Sequence, residues 1–338
     1  MSTSASAYLG IDIAKDSFEA CLLIGTKAWH GSFANTPAGF VKLDHWLKKR
    51  QVEHVHACLE ATGRYSEGLA EHLHAAGHTV SVINPARLKA YAAATLTRTK
   101  NDPIDATLSA EFCRSQAPAA WTPPTPERHE LRALVRRRES LLHLRQQEAN
   151  RLSSGEDSRL VCGWLAASLA FFDEQLAQVE QAIRDQIADH PELKRQHQLI
   201  DSIPGIGPLT AAALLAELDF ALYPTARQVA AQAGLTPRQR QSGTSVHGKP
   251  RLSKQGARQL RKILFFPAMV AKRYNPPIHA FAERLAERGK AKMAIICACM
   301  RKLLHLVYGV LKSGRPFDPD YQPKRVQPAK SVKELQPA

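Results

Sequence analysis

Alternating apolar and polar positions divide the first part of the chain into short strand-like and helix-like segments. Residues 7–13 (AYLGIDI) and 18–25 (FEACLLIG) are apolar runs of strand length, and residues 27–35 follow across a Gly-containing turn. Residues 36–50 then have helical periodicity and open with a Thr-Pro pair, which suits an N-cap and the first helical position. The pattern predicts three strands followed by a helix.

The next segments continue the alternation of strand and helix. Residues 52–61 (VEHVHACLEA) return to a strand pattern, residues 65–77 form an amphipathic helix closed by a glycine, and residues 78–84 form a short strand ended by Pro85. Three strands followed by alternating helix and strand predict an α/β domain with a mixed sheet. That order is the ribonuclease H-like one, although it is not unique to that fold.

Beyond about residue 125 the periodicity becomes helical over long distances. Residues 125–152 and 163–190 are amphipathic and rich in Arg, Glu, Gln and Leu, with a polar break at 153–158. Two long helices of this kind predict a helical hairpin or coiled-coil connector that serves dimerisation, spacing or both.

The C-terminal part is predicted to be mainly α. Residues 199–218 place Gly205 and Gly207 between two helices, as in a helix-hairpin-helix motif whose backbone N–H groups face a phosphate. The alternative is a tight helix–helix connection without a ligand. Helices are predicted over 254–274 and 291–312, and the Pro- and Lys-rich tail beyond 314 is predicted to be flexible.

The charge of the chain is concentrated in its last part. Lys and Arg number 11 against 10 acids in residues 1–110, and 12 against 13 in residues 111–199. Residues 200–338 carry 23 against 8, which accounts for the formal net charge of +15. A basic part joined to neutral parts favours a polyanion partner such as nucleic acid over a membrane surface, because the cations are spread over several elements.

The sequence has no features of export or membrane insertion. It lacks a cationic N-terminal run followed by an apolar core, and no uncharged apolar stretch reaches the ~18–20 residues that span a bilayer. The six cysteines are scattered, and none of their spacings resembles a zinc site. We therefore expect a soluble, cytoplasmic protein.

Four acids stand out by their context. Asp12 lies inside the first apolar strand, where a charge is costly, and Glu60 ends the apolar strand VHACLE. Asp102 and Asp105 lie at the start of a helix, where their i, i+3 spacing puts both carboxylates on one face. A strand Asp, a strand-end Glu and two helical Asp are the set with which a ribonuclease H-like fold gathers oxygen ligands around two Mg²⁺ ions.

Each acid also has a structural alternative. Asp102 could be the N-cap of its helix ahead of Pro103, Glu60 an ordinary strand-end residue, and Asp12 a paired structural acid. A sugar-kinase or actin-like ATPase also begins with a strand Asp. That class needs a Gly/Ser/Thr-rich phosphate loop after the strand, and the segment DIAKDS at residues 12–17 lacks one.

Residues 237–254 (PRQRQSGTSVHGKPRLSK) are strongly basic and contain three serines. The composition predicts a solvated basic loop that contacts phosphate, and a serine hydroxyl is a poor nucleophile unless a base, a metal or a positive field assists it. From the residues alone, contact with phosphate is favoured over catalysis.

Six ordered motifs give the chain a resemblance to a known family. They are GIDIAKDSFEACL, LEATGRY, RTKNDPIDAT, IPGIGPLTAAAL, AAQAGLTPRQRQSGTS and SKQGARQLRKIL, within about residues 7–312. The chain resembles the DEDD-type insertion-sequence transposases with a catalytic serine, the bridge-RNA-guided recombinases. The resemblance implies a RuvC-like domain over 1–120, a coiled-coil connector over 121–195, a transposase domain over 196–314 and a basic tail over 315–338.

The resemblance also implies the site. The acidic tetrad is Asp12, Glu60, Asp102 and Asp105, which would hold Mg²⁺, two ions per active site. The serine is Ser242, which would attack a DNA phosphate; Ser245 and Ser253 do not match its position. The residues expected to contact nucleic acid are Arg238, Arg240, His247, Lys249, Arg251, Lys254, Arg258, Arg261, Gly205 and Gly207.

The implied partners are donor and target DNA, a structured non-coding guide RNA and further copies of the chain, as a dimer or, on DNA, a tetramer. In the family the tetrad and the serine of one active site come from different subunits. The base that deprotonates Ser242 is left open between a tetrad-held metal and His247. The alternatives are a RuvC-like Mg²⁺-dependent nuclease, in which water attacks, and a non-enzymatic nucleic-acid-binding protein.

Overall fold

The computed structural model describes residues 6–61, 63–96, 101–155, 158–242 and 246–321. Within these ranges seven side chains lie outside the description: those of Arg64, Arg240, Ser242, Val246, His247, Lys249 and Pro250. The chain divides into two compact units, Met1–Thr125 and Pro126–Ala338. The predicted tail lies outside the described residues from 322 onward.

The described part of the first unit contains five strands and four helices. The strands are β1 (Ala7–Ile13), β2 (Ser17–Ile24), β3 (Lys27–Ala34), β4 (His56–Glu60) and β5 (Thr79–Ile83). The helices are α1 (Pro37–Lys48), α2 (Arg64–Ala75), α3 (Pro85–Ala94) and α4 (Asp102–Gln116). The predicted α/β order is confirmed. Pro85 does more than end a strand, because it opens α3 behind an Asn84 cap.

The five strands form one mixed sheet in the order β3-β2-β1-β4-β5. β1 pairs antiparallel with β2, and β2 with β3, whereas β1–β4 and β4–β5 are parallel pairs. The first three strands can be antiparallel because short turns join them, whereas the parallel strands are reached through α1 and α2. This order agrees with the ribonuclease H-like arrangement expected from the sequence.

Helices cover both faces of this sheet. Leu9, Ile11 and Leu59 point to one face and pack with α1 and α2 in the largest apolar cluster of the unit. Cys58 and Cys21 point to the other face and belong to two smaller clusters, with residues of α3 and α4. The central strands are therefore buried on both sides, which explains why their sequences are nearly continuous apolar runs.

The second unit is mainly helical. Its described elements are α5 (Pro126–Ser153), α6 (Arg159–Ala188), α7 (Pro191–Asp201), α8 (Pro208–Glu217), a short 3₁₀ helix (Phe220–Leu222), α9 (Ala226–Gln232), β6 (Pro237–Ser242), β7 (Val246–Leu252), α10 (Arg258–Tyr274), α11 (Pro276–Glu287) and α12 (Lys292–Ser313). One large apolar core joins these helices, with α12 contributing a buried residue every three or four positions.

Helices α5 and α6 form the long predicted hairpin. The ion pairs Arg138–Glu180 and Arg145–Asp173 show that the two helices run antiparallel. At the base of the hairpin, Val135 and Ile183 lie in the core of the second unit, so the helices are part of that unit's packing. Trp164 and Phe171 of α6 are exposed.

Two helices in the described part of the chain, α6 and α12, have the length and apolar composition of a membrane span. Both have partners inside the protein: α12 buries one face in the core of the second unit, and α6 is ion-paired with α5. Packing therefore accounts for the apolar composition of α12, and α6 carries charges that a lipid-facing helix would have to bury.

Candidate active site

Asp12 and Glu60 lie side by side on the two central strands of the first unit. The parallel register pairs Gly10 with Cys58 and Ile11 with Leu59, which puts Asp12 and Glu60 at the same level one residue further on. Neighbouring strands are about 4.8 Å apart. Both acids are half-buried and have interactions with other groups. Each lies two residues after a position that faces α4, Gly10 on β1 and Cys58 on β4, and therefore points to the same face of the sheet. Strand pairing alone thus brings together two acids that are 48 positions apart.

Helix α4 crosses the same face of the sheet at very short range. A Cβ atom on Gly10 would lie 2.1 Å from the carbonyl oxygen of Ala106 and 2.1 Å from the backbone nitrogen of Ala110. Real Cβ contacts are much longer, so only glycine lets the backbone of α4 come this close to β1. Gly10 and Asp12 are two residues apart and therefore share this face.

The direction of α4 decides where its two acids lie. The Cys113 thiol donates a hydrogen bond to the His56 carbonyl oxygen at the start of β4 (3.3 Å), so α4 runs antiparallel to β1 and β4. Four helical residues rise about 6 Å, and two strand residues rise about 6.6 Å. The first turn of α4 precedes the contact over Gly10 by about one helical turn, and Asp12 follows Gly10 by two strand residues. The start of α4 therefore lies at the same height along the strands as Asp12 and Glu60. Asp102 and Asp105 lie in that first turn.

Asn101, and not Asp102, is the N-cap of α4. The Asn101 side chain accepts a hydrogen bond from the Ile104 N–H (3.0 Å), and Asp102 and Pro103 are the first two helical residues. The structural alternative for Asp102 is therefore wrong, because a side-chain amide already satisfies the donor that Asp102 would have capped. Asp102 is exposed and Asp105 half-buried, as acids at the positive end of a helix dipole can be.

This donor set suits a hard divalent cation. Four carboxylates offer oxygen ligands, which Mg²⁺ and Ca²⁺ prefer. The four side chains are nevertheless spread more widely than a compact metal cluster: among the described residues, the one group of His, Cys, Asp or Glu with its ligand atoms within 4.8 Å lies elsewhere in the first unit. The four acids share an end of the sheet without forming a closed cage.

The basic segment is a β-hairpin and not the loop that its composition predicts. β6 and β7 pair antiparallel from Pro237 opposite Leu252 to Ser242 opposite Val246, with a register shift between Arg238 and Arg240. Backbone pairing forms these strands without alternating apolar side chains, which is why periodicity did not predict them. Ser242 is the last residue of β6.

Of the basic side chains on β6 and β7, the structure describes those of Arg238 and Arg251. Arg238 and Arg251 are exposed and lie directly opposite each other across the two strands. The side chains of Ser242, Arg240, His247 and Lys249 lie outside the description, and residues 243–245 lie outside it entirely.

The cations that follow the hairpin differ in their contacts. Lys254 and Arg258 are exposed. A terminal guanidinium nitrogen of Arg261 donates to the carbonyl oxygens of Ala233 (3.0 Å) and Gly256 (3.3 Å). Arg261 therefore ties the end of α9 to the start of α10, a role inside the fold that the sequence pattern does not predict.

The two glycines between α7 and α8 have different surroundings. Gly205 has φ +103°, and a Cβ there would lie 2.6 Å from the Cβ of Ala271 on α10. A tight turn packed against another helix thus explains Gly205 on its own. Gly207 occupies the N-cap position of α8, and a Cβ there would meet nothing within 4 Å.

A thiol pair that the sequence did not predict lies behind β4. Cys58 on β4 and Cys113 on α4 are both buried. The hydrogen bond between the two thiols lowers the pKa of Cys113 and raises the pKa of Cys58. No sequence signal joins positions 58 and 113, because only the packing of α4 on the sheet makes them neighbours.

Comparisons with known proteins agree with this picture. A family model described as a transposase, of the DEDD type of IS110, matches residues 9–155. A second model, described as a transposase of the IS116/IS110/IS902 family, matches residues 197–283. The first match contains all four candidate acids, and the second contains Ser242.

Relatives match over most of the chain. The pilin gene-inverting protein of Moraxella bovis is 35% identical over 319 residues, which cover 93% of this chain and 98% of the relative. A transposase for insertion sequence element IS1328 of Yersinia enterocolitica is 26% identical and covers 74% of this chain and 81% of the relative. T. thermophilus RuvC in complex with a Holliday junction substrate aligns at 15% identity and a TM-score of 0.27, over 34% of this chain and 98% of that one, a likeness too weak to carry an argument.

The mixed sheet with its acids, the basic helical unit and these matches define an enzyme of the DNA transposase and recombinase class. More narrowly, the chain belongs to the IS116/IS110/IS902 family of transposases.

Proposed function

We propose that this chain is the transposase of a mobile insertion sequence and that it cleaves and exchanges DNA strands through a covalent phosphoserine at Ser242. The observation that carries the proposal is the common level of the four acids, where strand register aligns Asp12 with Glu60 and the antiparallel α4 brings in Asp102 and Asp105. We further propose that the first unit is a RuvC-like catalytic domain.

Asp12, Glu60, Asp102 and Asp105 would hold Mg²⁺, two ions per active site. Bound there, the ions would stabilise charge on the attacking and leaving oxygens of a phosphodiester exchange. The protein's own contribution is positional. Asp12 and Glu60 are fixed by the central strands, whereas Asp102 and Asp105 are fixed by an Asn-capped helix whose backbone packs on Gly10.

The serine step conserves the phosphodiester energy. The Ser242 oxygen forms a bond to phosphorus, the bond from phosphorus to one sugar oxygen of the DNA breaks, and that oxygen leaves with a proton. The hydroxyl proton of Ser242 must pass to a base. A metal held by the four acids would be the first candidate to assist this transfer, and His247, opposite Gln241 in the hairpin, is the second. Attack by a DNA hydroxyl on the phosphoserine reverses the step and joins a new strand without ATP.

The hairpin has the charge expected of a phosphate-binding element. Arg238 and Arg251 face each other across β6 and β7, and like charges directly opposite each other destabilise a strand pair. A phosphate between or above them would remove that repulsion. The exposed Lys254 and Arg258 that follow the hairpin add positive charge along which DNA could lie.

We propose donor DNA, target DNA and a structured guide RNA as partners in the cytoplasm. Backbone-directed cations give affinity with little sequence choice, which an RNA that pairs with DNA would supply. We also propose assembly into a dimer or tetramer, with a coiled-coil role for α5 and α6. The exposed Trp164 and Phe171 on this hairpin support the assembly, because large exposed apolar side chains are typical of protein contacts.

Trapping of the covalent intermediate tests this mechanism. Purified protein is incubated with element-end DNA and Mg²⁺, denatured and analysed for a protein–DNA adduct. We expect an adduct with the wild type and with the control Ser253→Ala, and none with Ser242→Ala. An adduct that survives Ser242→Ala would refute the serine mechanism.

The same assay separates the alternative of a RuvC-like nuclease. If water attacks, Ser242→Ala still cleaves and no variant forms an adduct. Asp105→Asn is expected to lower cleavage at least about 100-fold in either case, because a metal ligand is lost. Glu111→Gln, on the same helix, is the matched control and should cleave like the wild type.

A further inference from the structure

His56, Cys58 and Cys113 form a compact group in the first unit. One ring nitrogen of His56 and the sulfur atoms of Cys58 and Cys113 all lie within 4.8 Å of one another. His56 and Cys58 are two residues apart on β4 and so point to the same face of the sheet, where α4 supplies Cys113. Both thiols are buried, and the imidazole is half-buried.

The donor set differs in kind from the four carboxylates. Two thiolate sulfurs are soft ligands, and imidazole nitrogen is a common zinc ligand, so the set favours zinc-class ions over Mg²⁺. In a tetrahedral site with Zn–S bonds of about 2.3 Å, the ligand atoms lie about 3.8 Å apart. The present separations therefore need a contraction of about 1 Å at most to enclose one ion.

The surroundings of His56 suit a ligand. Its Nε2 is 2.8 Å from the Ser81 oxygen, and Ser81 donates to the Ala119 carbonyl oxygen at 2.9 Å. Because the Ser81 hydroxyl donates to Ala119, the imidazole N–H donates to Ser81, and a hydrogen bond of this kind orients a ligating imidazole. His56 also lines a cavity of about 700 Å³ together with Tyr8, His54 and Thr79, so solvent reaches the imidazole side of the group.

We propose that His56, Cys58 and Cys113 bind one thiophilic divalent cation of the zinc class, with water in the fourth position. On binding, each thiol releases its proton to solvent and forms a metal–sulfur bond, and the imidazole contributes a lone pair. No electrons are transferred. The bound ion would link β4, which ends at Glu60, to α4, which begins at Asp102, and so brace the two elements that carry three of the four acids.

Cd²⁺ is the probe that tests this site. The full-length protein is reduced, freed of chelator and titrated with Cd²⁺ in a large excess of Mg²⁺, which occupies carboxylate sites. We expect a thiolate-to-metal charge-transfer band that saturates at one equivalent, and a melting temperature raised by Cd²⁺ or Zn²⁺. Ser81→Ala should weaken Cd²⁺ binding about 10- to 100-fold, because the orienting hydrogen bond of the imidazole is lost.

The controls are the other buried cysteines. Cys58→Ala and Cys113→Ala should abolish the band, whereas Cys21→Ala and Cys299→Ala should retain it. Circular dichroism checks that each variant is folded. His56→Gln, which leaves both thiols in place, should weaken Cd²⁺ binding, and it replaces the cysteine variants as the test if these do not fold. No band in the wild type, or an unchanged band in Cys58→Ala, Cys113→Ala and His56→Gln, would overturn the proposal. Neither readout uses DNA cleavage, so a negative result leaves the proposed function intact.

Discussion

Single residues set the distance between the sheet and α4. Gly10 has no side chain where α4 crosses, and Asp12 follows it on the same face of β1. The strand motif GIDI thus combines a glycine that admits the helix with an acid that meets the start of that helix. The half-buried acid and the missing side chain both belong to the proposed acidic site.

Gly10→Ala is expected to damage both stability and activity. The new methyl group would overlap the backbone of α4 at Ala106 and Ala110, so the helix must move and take Asp102 and Asp105 with it. We expect a loss of about 1–3 kcal/mol or more in the free energy of unfolding, together with loss of DNA cleavage. Chemical denaturation and a cleavage assay measure the two effects.

Gly68→Ala is the control for this prediction. A Cβ at Gly68 in α2 lies 3.6 Å from the Phe40 ring, which is ordinary contact. Alanine should stabilise this helix by about 0.5–1 kcal/mol. If Gly10→Ala were as stable as Gly68→Ala, the close packing of α4 on β1 would be wrong.

His305 is expected to make the second unit sensitive to acid. Burial lowers the pKa of His305, and the nearby Arg301, Lys302 and Arg227 lower it further. Below the unfolded value of about 6.5 the unfolded chain takes up a proton at this residue more readily than the folded chain. The stability associated with His305 is therefore present above about pH 6.5 and is lost as the pH falls towards its lowered folded pKa.

Thermal melts of His305→Gln measure this effect. When the pH is lowered from about 7.5 to about 5.5, the melting temperature of the wild type should fall further than that of His305→Gln. The exposed His129→Gln should follow the wild type. Equal pH dependence of wild type and His305→Gln would contradict the prediction.

At the level of elements, a buried arginine joins the start of one helix to the end of another. Arg128 in the first turn of α5 is buried and donates to the carbonyl oxygens of Leu215 (2.9 Å) and Leu218 (3.1 Å) at the end of α8. It also donates to the side chain of Gln196 on α7 (2.8 Å). One side chain therefore joins the base of the long hairpin to two helices of the second core.

Arg128→Leu is expected to cost about 1–3 kcal/mol in the free energy of unfolding, because buried carbonyl groups lose their donor. Denaturant unfolding measures the loss. Arg137→Leu, on the exposed side of the same helix, should change stability by no more than about 0.5 kcal/mol. Similar losses in both variants would mean that Arg128 is not a specific tie.

At the scale of the whole molecule, the two units carry different groups of the proposed site. The acids belong to the first unit, whereas Ser242 and the excess of 23 cations over 8 acids belong to residues 200–338 of the second. A charge distribution of this kind suits a protein that holds DNA with one unit and supplies carboxylates for the reaction with another.

The affinity for DNA should therefore fall steeply with salt. Each phosphate contact contributes about −0.9 to the slope of log K against log salt. We expect the double variant Arg238→Gln/Arg251→Gln to reduce the steepness of that slope by about 2. Arg195→Gln, whose wild-type side chain pairs with Glu192, should leave it unchanged. Binding isotherms at several salt concentrations decide, and an unaltered slope in the double variant would remove the hairpin from the DNA-binding surface.

The sequence predicted most elements and the four acids because these depend on local patterns. Strand-length apolar runs, helical periodicity and Pro-capped helix starts predict the first unit and the long hairpin, and a charge in an apolar strand singles out Asp12. The motifs predicted the family, which the comparisons confirm. The roles of Ser242 and of the four acids, the two Mg²⁺ ions and the guide RNA stay predictions.

Only the tertiary structure decided which distant residues are neighbours. Strand register puts Asp12 beside Glu60, and the direction of α4 brings Asp102 and Asp105 to their level. Backbone pairing forms the β6–β7 hairpin, and the packing of α4 on the sheet forms the His56–Cys58–Cys113 group; no spacing in the sequence predicts either. Local patterns predict whether a segment is a helix or a strand and which of its faces is buried. Contacts between positions 56, 58 and 113 depend instead on how whole elements pack.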